Sequence, residues 1–151
     1  MMLFERSDQA RVLLVEDNPS DLELTLHALE RGRFGNRIDV VRDGAEALDY
    51  LFAKGGHAER DPADLPRVVL LDLQLPLIAG IDVLREIRSD PRTRRLPVVI
   101  LTSSAEDKDL HACYGLGVNS YIVKPVDIDQ FFTAIQQVGV YWLVLNHTEQ
   151  P

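Results

Sequence analysis

Five short runs of the chain are almost wholly apolar: Val12 to Val15, Ile38 to Val41, Val68 to Leu71, Val98 to Leu101 and Tyr121 to Val123. They are rich in Val, Ile and Leu and do not alternate cleanly with polar residues, the pattern of parallel strands covered on both faces. Helix-length segments with their own start and stop signals lie between them. Asn18 is placed to be an N-cap, Pro19 is pre-set for the first helical position, and Asp21 and Glu23 suit the positive end of the helix dipole. Leu22, Leu26 and Leu29 then share a face, and Gly32 is the stop. Asp43-Gly44-Ala45-Glu46 reads as an acidic variant of the capping box, followed by Ala47, Leu48 and Leu51 and ended by Gly55-Gly56. Lys54 to Pro66 is polar and predicts a long loop. Further helices are expected from about Ile81 to Arg88, from about Glu106 to Leu116, and from Asp127 onward.

Strand and helix thus alternate five times. Right-handed crossovers between parallel strands turn that order into an α/β fold, a doubly wound five-stranded parallel sheet with helices on both faces. The length of 151 residues suits one domain. The expected division is an N-terminal tail over 1–9, a single domain over 10–146 that includes an extended C-terminal helix, and a C-terminal tail over 147–151. There is no internal repeat and no linker rich in Gly, Pro or Ser.

Charge and cysteine content narrow the function classes. A formal net charge of -8 argues against direct binding to nucleic acid, which rests on clustered Lys and Arg. The single cysteine, Cys113, excludes an internal disulfide and any zinc site built from several thiolates, and reads as a small core residue of a protein in a reducing compartment. The opening MMLFERSDQ is charged where a secretory signal needs an apolar stretch, and no apolar run approaches the roughly 18 residues of a membrane span. The expected location is the cytoplasm, with no membrane partner. His27, His57, His111 and His147 show no metal-ligand spacing and read as solvated or locally bonded.

The candidate chemistry lies in where the polar residues fall. Glu16 and Asp17 follow the first strand, Asp72 closes the third, Thr102 follows the fourth and Lys124 the fifth. These are carboxyl ends of strands, the edge at which open α/β sheets bind ligands, so separated residues can converge there. Each has a plainer reading alone: an acidic pair as helix-cap charge, Asp72 as a turn residue, Lys124-Pro125 as a loop signal, and Tyr121 as a packed strand residue with a wet hydroxyl. Their joint placement at four strand ends favours a site.

Together Leu14-Val15-Glu16-Asp17-Asn18, Leu71-Asp72-Leu73, Leu75-Pro76, Gly80, Leu101-Thr102-Ser103 and Tyr121-Ile122-Val123-Lys124-Pro125 resemble the receiver family of two-component signalling, over about residues 10 to 138. The resemblance implies the flavodoxin-like strand order 2-1-3-4-5. It also implies a cis bond between Lys124 and Pro125, Asp72 as phosphoacceptor for a histidine kinase, and Thr102 and Tyr121 as a switch pair. Three crowded carboxylates need a cation, and Mg²⁺ suits a shallow oxygen site that keeps several waters and takes a phosphate oxygen. Following the family, Asp17 and Asp72 would bind Mg²⁺ directly, Glu16 would act mostly through water, and the Gln74 backbone carbonyl would complete the set. Thr102 and Lys124 would contact the phosphoryl oxygens. Gln74 and Ser104 stand where this family sets the lifetime of the phosphoryl group. The pattern departs at Leu77-Ile78-Ala79-Gly80, apolar where receivers commonly carry Met and Asp before the glycine.

Other functions stay open at this point. A phosphatase of the haloacid dehalogenase type wants a second Asp two residues after the nucleophile, where Gln74 stands. A flavodoxin-like nucleotide binder wants a phosphate-cradling loop in place of Glu16-Asp17. A pseudo-receiver normally lacks part of the acidic and lysine set. As a switch rather than an enzyme in its own right, the chain would assist its own phosphorylation and slow autodephosphorylation. The long second loop, single-domain layout and aromatic C-terminal segment are similar to small stand-alone receivers paired with phytochrome-type kinases, so a bacteriophytochrome is the expected partner. Ile128, Phe131, Ile135, Val138, Trp142 and Leu145 repeat at steps of three and four, and the segment beyond Gly139 is apolar all round. Both features predict a homodimer through the C-terminal helix, with Trp142 and Leu145 at its interface.

Overall fold

The computed structural model describes residues 11–31, 37–103, 107–118 and 120–138. Five strands, β1 (Arg11–Val15), β2 (Arg37–Val41), β3 (Val68–Asp72), β4 (Val98–Thr102) and β5 (Ser120–Val123), form one parallel sheet in the order β2-β1-β3-β4-β5. The helices are α1 (Pro19–Arg31), α2 (Gly44–Phe52), α3 (Gly80–Ser89), α4 (Asp107–Gly115) and α5 (Ile128–Val138).

Because successive strand residues point to opposite faces, each central strand feeds two cores. Val12, Leu14, Val68, Leu70, Val99 and Leu101 pack with Leu29 of α1 and Phe131 of α5 on one face. Leu13, Val15, Val69, Leu71, Val98 and Ile100 pack with Leu51, Leu84, Ile87 and Cys113 on the other. This two-sided burial is why β1, β3 and β4 read as unbroken apolar runs. Helices cover both faces as expected, but burial is less complete at the sheet edges. In β5, buried Ser120 and Ile122 alternate with exposed Tyr121 and Val123, and β2 is fully buried only at Val41. An edge strand has a neighbour on one side only, so its outer positions are less completely covered.

Helix starts follow their caps. Asn18 Oδ1 accepts from Asp21 N at 2.9 Å, and Asp127 Oδ1 accepts from Gln130 N at 2.8 Å. Asp43 caps α2 by accepting from Glu46 N at 2.7 Å, but the return contact of the expected capping box is displaced: Glu46 Oε1 accepts from Arg42 N at 3.1 Å. The helix also stops before Gly55-Gly56. Ala53 takes the left-handed conformation, its N–H bonded back to Asp49 O and Tyr50 O, and Gly55 opens a short 3₁₀ turn over Gly55–His57.

The segment expected as a plain polar loop is tied to the domain. Buried Arg11 donates to Tyr50 Oη at 2.8 Å and to Asp64 Oδ1 at 2.6 Å, while the Arg60 guanidinium lies 4.0 Å over the Tyr50 ring. Tyr50 in turn donates to Asp39. Among the described residues, no helix is long and apolar enough to cross a membrane.

Candidate functional site

The alternation that divides the core also distributes the polar residues at the strand ends. Carried past Leu14, Leu70 and Ile122, the face shared with α1 and α5 places Glu16, Asp72 and Lys124 together. The ladder continues to these positions: Glu16 N donates to Val41 O at 3.1 Å and Lys124 N to Thr102 O at 2.8 Å. Thr102 falls on the opposite parity, as does Tyr121.

The Lys124 ammonium is the centre of the site. Its Nζ lies 2.9 Å from Glu16 Oε1, 3.0 Å from Asp21 Oδ2 and 3.1 Å from Asp72 Oδ2. Asp72 is only 4% exposed and Glu16 fully buried. Gln74 N donates to Asp72 Oδ1 at 3.1 Å, which fixes the other carboxylate oxygen. Asp21 was absent from the sequence-derived site. Its place in the first turn of α1 was the available signal, since helical side chains lean toward the N-terminus and this one begins at the strand edge.

The remaining expected residues are distributed around this centre. Asp17 is exposed on the β1–α1 connection, and Gln74 is exposed just after β3. Thr102 is buried at the end of β4. The Lys124–Pro125 bond is cis. Tyr121 is partly exposed, edge-on to Tyr114 with ring centroids 6.3 Å apart. It lines a cleft of about 490 Å³ with Tyr114, Val123, Gln130 and Thr133, and none of the clustered carboxylates borders it. Ser104, Trp142 and Leu145 lie outside the described residues, and with them the proposed dimer seam beyond residue 138.

The electrostatics are unbalanced toward negative. With Glu16, Asp21 and Asp72 ionised, the ammonium neutralises only one of three charges. Oε1 of Glu16, though close to Nζ, accepts no well-directed hydrogen bond, so its contact is electrostatic. Burial pushes Glu16 up to about 7, with Lys124 opposing and Asp72 adding to the rise. Burial acts to lower Lys124, but the bonds to Glu16 and Asp21 and the charge of Asp72 outweigh it and hold the ammonium above its ordinary value. Among the described residues no three acidic, His or Cys side chains form a ready metal cage. The donor set nonetheless fits Mg²⁺, which uses one or two carboxylates and retains water. An excess of buried hard oxygen is what such a cation relieves.

A consequence for stability follows from Glu16. The native state holds its proton above the ordinary value of 4.5, so this group's contribution is complete below about pH 4.5 and is lost as pH rises through about 7. In chelator, urea denaturation is expected to show a fall on the order of 2–3 kcal/mol between pH 5 and 8 that Glu16→Gln largely removes. Equal slopes in the two proteins would contradict the assignment.

Comparison with known families matches residues 12–136 to the response regulator receiver domain. Over 149 residues the chain is 41% identical to a probable methanogenesis regulatory protein, FilR2, of Methanothrix harundinacea, covering 99% of this chain and 94% of the relative. It is 36% identical to response regulator Rcp1 of Synechocystis sp., covering 87% and 88%. Among solved structures, the bacteriophytochrome response regulators AtBRR and RtBRR superpose with a TM-score of 0.84 each. AtBRR is 52% identical, covering 92% of this chain and 99% of that one. RtBRR is 51% identical, covering 92% and 83%. The Mn(2+)-bound form of Rcp1 superposes with a TM-score of 0.72 at 34% identity, covering 89% and 94%. The chain therefore belongs to the response regulator receiver domain family of two-component signalling.

Proposed function

We propose that Asp72 accepts a phosphoryl group from the phosphohistidine of a bacteriophytochrome-type sensor kinase, and that its arrival changes which partners the protein binds. The observation that carries this reading is the Lys124 ammonium held 3.1 Å from the buried Asp72 carboxylate at the carboxyl edge of the sheet. The likeness to two bacteriophytochrome response regulators supports the choice of kinase.

In the transfer, an Asp72 oxygen forms a bond to phosphorus as the bond from phosphorus to the donor imidazole nitrogen breaks. The electron pair stays with that nitrogen. The transition state is loose and spreads charge over three equatorial oxygens, so the protein acts mostly by positioning and neutralisation. Gln74 N–H orients the acceptor carboxylate, and Lys124 turns from its carboxylates toward the incoming oxygens. The Thr102 hydroxyl donates to a further oxygen, and its movement is coupled to Tyr121 through their shared face. Gln74 and Ser104 set how water reaches the product. Asp17, Asp72 and the Gln74 carbonyl would hold Mg²⁺, with Glu16 through water, and the bound ion would supply the positive charge that Lys124 alone cannot.

The metal reading has its own test. Mg²⁺ at about ten times its dissociation constant should stabilise the fold by about 1.4 kcal/mol by mass action. Asp17→Asn is expected to lose most of that gain in thermal melts with and without Mg²⁺. A full Mg²⁺ response in the variant would remove Asp17 from the ligand set. For the function itself, an autophosphorylated bacteriophytochrome kinase mixed with the protein and Mg²⁺ should pass its phosphoryl group to this chain. Retention of the label by the kinase, while acetyl phosphate labels the chain, would exclude that kinase class.

A further inference from the structure

The sheet has a second edge, at the amino ends of its strands, and phosphoryl chemistry makes no use of it. Arginines stand there on four neighbouring strands. Arg37 opens β2, Arg11 opens β1, Arg67 precedes β3, and Arg94 and Arg95 close the turn that leads into β4. Arg11 and Arg37 are level in the sheet, Arg67 N donates to Arg11 O at 2.9 Å, and Val69 N donates to Pro97 O at 2.9 Å, so the four strand starts lie side by side. Two of these cations are already balanced: Arg11 pairs with Asp64 at 2.6 Å and Arg37 with Asp39 at 2.9 Å. Arg67, Arg94 and Arg95 are exposed and form no ion pair among the described residues.

The turn that carries Arg94 and Arg95 is fixed from beneath. Thr93 is buried, and its hydroxyl donates to Ile87 O at 2.7 Å near the end of α3. Arg94 N donates to Asp90 O and Leu96 N to Thr93 O, each at 2.9 Å. The half-buried Arg88 guanidinium donates to Arg94 O at 3.1 Å and to Leu96 O at 2.8 Å, while its Nε donates to Leu116 O at 2.7 Å. The backbone that presents the two arginines is therefore ordered before any ligand arrives, which lowers the entropy cost of binding there.

We propose that Arg67, Arg94 and Arg95 form a docking surface for an acidic, carboxylate-rich segment of a partner protein. Guanidinium groups are planar forks that match carboxylates. The net charge of -8 does not cancel them locally. Arg67 lies five residues before Asp72, roughly 16 Å along the strand, and the Debye length at physiological ionic strength is about 8 Å, so the acidic edge is largely screened. Two other polyanions fit less well. An anionic membrane surface would need an apolar anchor, yet the exposed large hydrophobic residues described, Leu24, Leu77, Tyr114, Tyr121 and Val123, lie elsewhere on the fold. Nucleic acid would need a longer basic track and open rings for stacking, whereas Tyr50 and Phe52 lie under Arg60 and Arg92. Because the surface is remote from Asp72, its occupant leaves the phosphoacceptor open, and the proposal stands independently of that chemistry.

The test follows the anisotropy of a fluorescein-labelled deca-glutamate peptide titrated with the full chain. Wild type should bind at about 20 mM salt and lose affinity as salt rises. Arg67→Gln, Arg94→Gln and Arg95→Gln combined should weaken binding about ten-fold, the summed effect of three exposed ion pairs, without moving the Tm. Lys at the same three positions should recover most of the affinity. Arg42→Gln combined with Arg85→Gln, which removes exposed cations elsewhere, should bind as wild type does. Saturating peptide should leave the rate of labelling by acetyl phosphate where it stands without peptide. No binding by wild type at low salt, equal binding by the triple Gln variant, or slower labelling under the peptide would overturn the proposal. So would a lowered Tm in the triple Gln variant or failure of Lys to restore binding, either of which would make the arginines structural. Tighter binding of an RNA oligonucleotide or of phosphatidylserine vesicles, lost with the same three substitutions, would assign the surface to another class of partner and overturn it likewise.

Discussion

Lys124→Ala is expected to slow phosphoryl acceptance by about 10²- to 10³-fold, the usual consequence of removing one preorganised donor from a developing oxyanion. The same ammonium is the shared partner of Glu16, Asp21 and Asp72, at 2.9, 3.0 and 3.1 Å. Its loss leaves three carboxylates facing one another with no cation among them. Lys124 opposes the rise of Glu16, so its loss lets that carboxyl hold its proton to higher pH and limit the damage, and the destabilisation of this variant should grow as the solution becomes more alkaline. At alkaline pH the buried pair is broken outright, for which a loss of about 3–5 kcal/mol is typical. Acetyl phosphate labelling rates and urea melts at pH 6 and 8 measure the two effects separately. A wild-type labelling rate in the variant would remove Lys124 from the chemistry and leave it a purely structural cation.

The stretches most legible in the sequence were those governed by local physics. Val12 to Val15, Val68 to Leu71 and Val98 to Leu101 are buried on both faces, and such burial writes itself as an unbroken apolar run. Asn18, Asp43 and Asp127 act as caps because a short acceptor before an apolar period has few other uses. The β2-β1-β3-β4-β5 order came from family resemblance, since alternation alone leaves several parallel orders possible.

What escaped the sequence was non-local. Asp21 looked like a dipole-favoured residue, and its partner Lys124 lies 103 positions away. Arg11 reaches Asp64 across 53 positions, and nothing in the composition of Lys54 to Pro66 announces that contact. The positive φ of 70° at Leu77 was hidden for a different reason. Sequence rules place Gly or Asn at positive φ, so nothing in the residue type announces a Leu there.

Asp72→Asn carries the other large effect, complete loss of phosphoryl acceptance. Asn keeps the shape of the side chain and can still accept from Gln74 N with its amide oxygen, so the fold should survive. It lacks the carboxylate that bonds to phosphorus. Removing one negative charge from a crowded cluster should also weaken the stabilisation by Mg²⁺. Asp17 and Asp21 stand at the same edge of the sheet and are the natural alternative acceptors, which makes the site of labelling the decisive fact. Mass spectrometry of the intact protein and its peptides, after treatment with acetyl phosphate and Mg²⁺, should find one phosphoryl group on Asp72 and none in Asp72→Asn. A phosphoryl group on Asp17 or Asp21 in the wild type, or labelling that persists in the variant, would contradict the account.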